Sequence, residues 1–454
     1  MSSRFLSVAV FCLAATLLLM RSKVSADVEM ESFLYTAAQR YEPLAWMRGA
    51  DRLPSGATIM LHGAGADWPL VPHFAASADP AVSFDGQRVL FAGKAKPNDP
   101  WQIWEMPLAG GEPNRIISAP EDCIRPFYLP ENRIVYARRI AGRFVIEAVN
   151  PAGGTPLPLT YVPASTLPTD ILRDGRILFE AGYPLGTGTI PELYTVYSDG
   201  SGVESYRCDH GTARHLGKQI GSGDVVFATQ RGVAKFTSAL ARQVSLPLPS
   251  GEYAGEITES AVGDWLISWR QNLNEFFQLM DWTPDSVRLR PVLEKQPANQ
   301  LQPVPVRERL VPNRHPSGLH DWPNANLLCL NAYTSKHAFP KESVHSVRLY
   351  TRGASGKTEL LGTGPVERDG SFFLQVPAER PLQIELIDHN GKSLKRESGF
   401  FWMRRGEQRA CVGCHAGPET APENAVPMIL LKSTTPADLT GGIATSSEGT
   451  EREN

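Results

Sequence analysis

The chain has 454 residues, of which 42% are hydrophobic and 20% charged, so it holds ample material for a core. That composition excludes wholesale disorder and a fibrous repeat. With 45 basic and 48 acidic residues the formal net charge is −3, which supplies no global basic field for nucleic acid. The 39 glycines and 37 prolines make the chain rich in turn-formers, and the expected fold class is all-β.

Residues 1–26 read as a signal peptide. Arg4 supplies the positive start, Phe5 to Met20 is nearly continuous apolar sequence, and Val24-Ser25-Ala26 offers small residues for cleavage before Asp27. The apolar run is shorter than the roughly 20 residues that span a bilayer. Cys12 lies inside this run and not at the cleavage point, so no lipid anchor is indicated. The expectation is a periplasmic or secreted protein with no membrane span after signal cleavage.

From about residue 78 a polar turn followed by a short apolar strand recurs. It appears at Asp85-Gly86 before Val89-Leu90-Phe91, at Glu131-Asn132 before Ile134-Val135-Tyr136, and at Asp174-Gly175 before Ile177-Leu178-Phe179. It returns at Gly223-Asp224 and, more weakly, at Gly263-Asp264. A second alternating strand follows the first three copies, as in Trp101 to Met106, Phe144 to Val149 and Leu193 to Tyr197. A period near 40–45 residues with several short strands per repeat is that of a propeller blade, whose sheet buries both faces only by stacking on neighbours. The run Asp79-Pro80 to Asp85-Gly86 resembles TolB-type repeats. With Ser55 to Leu61 as a further strand, a propeller of five to seven blades is predicted over 40–295.

Residues 296–323, with Pro303, Pro305, Pro312, Pro316 and Pro323, read as a linker open to proteolysis. Strand-like runs follow at Leu327 to Leu330, Ser346 to Tyr350, Ser371 to Val376 and Leu382 to Leu386, with turns at Asp369-Gly370 and Asn390-Gly391. They predict a small β-rich domain over 324–432. Residues 433–454 lack periodicity and are expected to be a disordered tail.

The chemistry is concentrated in Cys411-Val412-Gly413-Cys414-His415. C-x-x-C-H is the attachment motif of c-type haem: two thiols on a short turn reach two vinyl groups, and the next histidine stands below the ring to ligate iron. The export signal agrees, since such haem is attached outside the cytoplasm. Cys411, Cys414 and His415 are therefore the expected haem c site, with His415 the metal ligand. A structural zinc site completed by Cys329 or His337, a thioredoxin-like pair and a plain disulfide are the competing readings. Excluding Cys12, the cysteines are Cys123, Cys208, Cys329, Cys411 and Cys414, an odd number that is no disulfide framework. Phe400-Phe401-Trp402 are candidates to cover a porphyrin face, and Arg404, Arg405 and Arg409 to pair with its propionates. For the sixth iron position Met403, Met428, His337, His345 and His389 are nearest, and none has a compelling spacing. The pairs His210/His215 and His315/His320 have no metalloprotease spacing and read as surface or loop histidines.

The block from Glu367-Arg368-Asp369-Gly370-Ser371-Phe372-Phe373 through Val376-Pro377-Ala378 and Trp402 to His415 resembles the middle domain of the hydrazine synthase alpha-subunit family. The resemblance implies an exported bacterial protein with a propeller before a haem-binding domain. The family's enzyme carries a second haem domain and an unusual tyrosine ligand beyond the motif. This chain has one C-x-x-C-H, no tyrosine after Tyr350, and Glu419 four residues after His415. The expected function is a mono-haem c-type cytochrome in electron transfer, its propeller docking a redox partner or complex subunit. The alternatives are a haem-dependent oxidoreductase acting on a small nitrogen or oxygen compound, and a propeller binding protein with a structural metal site.

Overall fold

The computed structural model describes residues 32–441, apart from 186–187, 208–209, 262, 285, 287, 336–338, 354–355, 415–420 and 422. The expected signal peptide, Cys208, His337, His415, Glu419 and residues 442–454 lie outside the described residues.

Among the described residues six small sheets stack around an axis as a propeller, within the expected five to seven blades. The recurring polar turn joins the first and second strands of blades two to six. In blade two it links Ala76–Val82 to Arg88–Lys94, and in blade four it links Thr166–Ile171 to Ile177–Leu185. The turn closes because Asp85 accepts hydrogen bonds from the Ser83 hydroxyl and the Gln87 N–H, while Gly86 takes φ +72. Between blades, apolar strand faces meet in continuous clusters, such as Leu129, Val135, Ile146, Ile177 and Phe179 between blades three and four.

The ring is wider than the predicted 40–295. Phe33–Ala38 belongs to blade one and pairs antiparallel with Asn299–Pro305, which forms that blade's innermost strand. The two ends of the propeller sequence are thus joined in one sheet, which locks the ring. Residues 299–305 are therefore blade and not linker. Their polar side chains are buried because each finds a partner: Asn299 donates to the Ala38 carbonyl at 2.9 Å, and Gln300 accepts from the Leu279 N–H at 2.8 Å.

Bulges in the innermost strands turn Asp79, Arg125, Leu216, Glu256 and Gln302 into the left-handed region, with φ between 54 and 57°. Around the axis they assemble a polar plug. The Asp79 carboxylate accepts from Arg52 at 2.6 and 2.7 Å, from the Arg125 N–H at 3.1 Å and from Gln302 at 2.5 Å. Arg125 also pairs with Glu256. Two cations face two carboxylates, so the buried charges are balanced. Burial disfavours the Asp79 anion, but the charges of Arg52 and Arg125 outweigh it and hold the carboxyl below its usual range.

Beyond the ring, the chain crosses one end of the propeller and enters a two-sheet β-sandwich. One sheet runs Gln408–Cys411, Asn324–Cys329, Phe372–Pro377 and Ala437–Asp438, and the other Thr358–Pro365, Ser346–Arg352, Leu382–Ile387 and Ser393–Arg396. Leu327, Val347, Leu349, Leu374, Val376 and Leu386 fill the space between them. The first part of the expected tail is ordered: Ala437–Asp438 pairs with Phe372–Pro377, and Leu439 is buried.

The two domains are packed together. Trp402 leaves the sandwich, buries its ring near Phe179 and Tyr161, and donates its indole N–H to the Gly200 carbonyl at 3.0 Å. Glu407 accepts the Gly202 N–H at 3.1 Å, and Arg404 donates to the Pro158 carbonyl at 3.2 Å. The Asp199-Gly200-Ser201-Gly202 turn of blade four is thus the docking point of the second domain. No helix among the described residues is long and apolar enough to cross a membrane.

Candidate functional site

Cys411 ends the edge strand Gln408–Cys411, which lies parallel to Asn324–Cys329 with Cys411 in register with Cys329. The Leu330 N–H donates to the Cys411 carbonyl at 2.9 Å and pins the strand end. The chain then turns through Val412 and Gly413 to Cys414. Gly413 is required by contact: a Cβ there would stand 2.1 Å from the Thr334 carbonyl oxygen and 2.8 Å from that of Asn331. The turn is therefore pressed against the Asn331 to Thr334 loop, and the two thiols are fixed relative to each other.

Both cysteines line one cavity of about 900 Å³ between the sandwich and blade four. Its size falls within the range of ~300–1,000 Å³ typical of cofactor sites. The sandwich side is walled by Phe400, Phe401 and Trp402, and the propeller side by Tyr183, Tyr194 and Tyr206. Flat apolar walls, two adjacent thiols and arginines in the lining (Arg352 and Arg409) are the donor set that a covalently attached anionic tetrapyrrole requires. The residues present fit that group.

Burial pushes both thiols up, Cys414 to about 12, and Cys411 rises despite the nearby charge of Arg409. Both are free of disulfides. A thioredoxin-like pair needs the opposite, a thiol shifted down to its thiolate. Cys329 is buried beside them, and its thiol is pushed up by burial and by the two neighbouring sulfurs. Among the described residues no group of three or more His, Cys, Asp or Glu side chains is arranged to hold a metal ion.

Of the other sequence candidates, Phe400, Phe401, Trp402 and Arg409 reach the cavity, although Arg409 is already bound to Glu407 at 2.9 and 2.5 Å. Arg404 and Arg405 pair with Glu379 instead, outside the lining. Met403 is fully buried in the sandwich core, and Met428 heads the short helix Met428–Lys432, its N–H donating to Asp369 at 2.7 Å. His345 and His389 are exposed. None of these four lines the cavity.

His210 does line it. Its ring stacks on Tyr183 with centroids 4.3 Å apart, and its Nδ1 lies 2.5 Å from Glu192 Oε2. Sequence spacing gave no signal, because Glu192 is 18 residues away and the blade's loop makes the pair. His215 is instead half-buried, and desolvation pushes its imidazole down to about 4. His315 and His320 stack on Tyr197 and Trp322.

Residues 336–416 match the family model of the hydrazine synthase alpha subunit middle domain. Among solved structures, hydrazine synthase of Kuenenia stuttgartiensis is similar with a TM-score of 0.76 at 16% identity, covering 88% of this chain and 71% of that one. TolB of Acinetobacter baumannii is similar with a TM-score of 0.46 at 14% identity, covering 60% of this chain and 66% of that one. The first of these shows the fold: a propeller followed by the second β domain. Among curated proteins none matches the sequence.

Proposed function

We propose that this chain, whose residues 336–416 match the hydrazine synthase alpha-subunit middle-domain family, is an exported haem protein carrying one c-type haem between its two domains. The observation that carries the reading is that Cys411 and Cys414 open together into a cavity walled by aromatic rings from both domains. Cys411 and Cys414 would hold the porphyrin through two thioether bonds. His415, the next residue in the sequence, would ligate its iron. A bound c-type haem supplies one-electron redox chemistry and an iron position for a small ligand.

The cavity favours chemistry on a small molecule over plain electron transfer. A carrier exposes a haem edge to its partner, whereas here the thiols face a cavity whose other wall is blade four. Met403 is buried in the sandwich core and does not line the cavity, so it would not serve as a carrier's methionine ligand. The relation to a synthase subunit supports a place in a multi-subunit assembly, with the propeller as docking platform.

Carbon monoxide binding to the ferrous protein tests this choice. The small-molecule reading expects a ligand-shifted spectrum. A ferrous protein that does not bind carbon monoxide leaves electron transfer as the function.

A further inference from the structure

We propose that His210, backed by the carboxylate of Glu192, is the acid–base residue of the interdomain cavity and takes up the proton of small weak-acid ligands as they bind there. The inference rests on the haem reading above and adds to it the residue that handles protons.

The imidazole is held from two directions. Tyr183, on the strand Ile177–Leu185, stacks parallel to it within 1°, and Glu192, on the neighbouring strand Gly188–Val196, engages Nδ1 at 2.5 Å. Glu192 is itself fixed: its side chain is only 2% exposed, and its other oxygen accepts the Gly211 N–H at 2.8 Å. A buried carboxylate bound to one ring nitrogen sets the tautomer and compensates the charge that the ring gains with a proton.

The other titratable and charged groups facing the cavity do not serve this role as well. From the propeller these are Tyr183, Tyr194, Tyr197, Tyr206 and Glu204, and from the sandwich Arg352, Glu397, Arg409 and the thiols of Cys329, Cys411 and Cys414, which burial pushes up. Burial pushes Tyr183 up, and the charges of Glu192 and Glu397 add to the shift, so this phenol keeps its proton. Tyr206 is pushed up to about 12, again by burial. Arg409 is committed to Glu407. An imidazole is the side-chain type suited to exchanging a proton near neutral pH.

The step balances without a co-reactant. A ligand H–X enters the cavity, its proton passes to His210, X⁻ remains as the ligand, and Glu192 stays ionised beside the imidazolium. Release reverses the transfer. Small nitrogen and oxygen compounds are the class served, because their binding and conversion move protons.

The test uses the full-length haem-loaded protein. Cyanide, which arrives protonated, is mixed with the ferric form, and carbon monoxide, which carries no proton, with the ferrous form. In His210→Gln, cyanide association falls by about 10²-fold, the scale of a lost acid–base group, while carbon monoxide association is unchanged. Glu192→Gln keeps a side chain beside the ring and shifts the pH profile of cyanide association with a smaller loss of rate. Equal cyanide rates in His210→Gln and the parent protein overturn the proposal. So does an equal slowing of both ligands, which marks an altered cavity and not a lost proton acceptor. A parent protein without covalent haem overturns the haem reading, and this proposal with it.

Discussion

Gly413 shows how a single position sets the site. A methyl group placed there would meet the Thr334 carbonyl oxygen at 2.1 Å, so backbone has to move. Gly413→Ala is expected to cost ~1–3 kcal/mol, as overpacking does, and to lower the haem-to-protein ratio because the two thiols lose their spacing. Thermal unfolding and the absorbance ratio read the two effects separately. Glu180 behaves differently. It is fully buried in blade four, and one oxygen accepts the Leu216 N–H at 3.0 Å. Burial pushes it up to about 7 from 4.5. The folded state thus binds the proton more tightly than the unfolded chain, so the stabilisation is complete below about pH 4.5 and is lost as pH rises through 7. Glu180→Gln removes that loss. Near pH 5 the variant matches the parent, and above pH 8 it is more stable by on the order of 3 kcal/mol. Parallel denaturation midpoints at both pH values would contradict this. At this scale local spacing put Cys411, Cys414 and the aromatic run Phe400-Phe401-Trp402 among the candidates, and all of them line one cavity. Spacing missed His210 and Glu192 because a strand and a loop bring them together.

At the scale of elements, the polar turns do more than close hairpins. Gly175, at φ +87, lies where a Cβ would be 2.1 Å from the Asn313 carbonyl oxygen, and Gly86 lies against the backbone of Arg307 and Glu308. The segment leaving the ring therefore runs along the turns of blades two and four, and the Asn313 N–H donates to the Arg173 carbonyl at 2.8 Å. Gly175→Ala combines a left-handed backbone with a collision. It is expected to cost ~1–3 kcal/mol and to raise hydrogen exchange at Asn313, with little change at the Gly223-Asp224 turn of blade five. Uniform exchange at all the turns would show that this contact does not hold the segment. The repeated turn and its alternating strand made the blades legible. The closing strand Asn299–Pro305 was not legible, because Asn299, Gln300, Gln302, Pro303 and Pro305 read as linker composition. An innermost strand buries polar side chains against the axis, so the hydrophobic pattern used to find strands fails there.

At the scale of the whole molecule, the propeller and the sandwich form one body. The expected linker does not separate them, since its first part belongs to a blade and Trp402, Arg404 and Glu407 anchor the sandwich to blade four. Residues 313–318 are exposed, so limited proteolysis is expected to cut there. The nicked halves should still elute together in size-exclusion chromatography. Trp402→Ala removes a side chain that is 1% exposed, at a cost of ~3–5 kcal/mol, and should release the halves after the same cut. Halves that part without the substitution would mean that the docking contacts are weak.

We propose that Cys411 and Cys414 hold a haem covalently in the cavity between the domains. Intact-mass measurement under denaturing conditions, on protein exported from a host with haem attachment machinery, tests it most directly. A mass increase of one haem is expected, lost in the Cys411→Ala, Cys414→Ala double variant. A parent protein that carries no added mass, with both thiols open to alkylation, would contradict it.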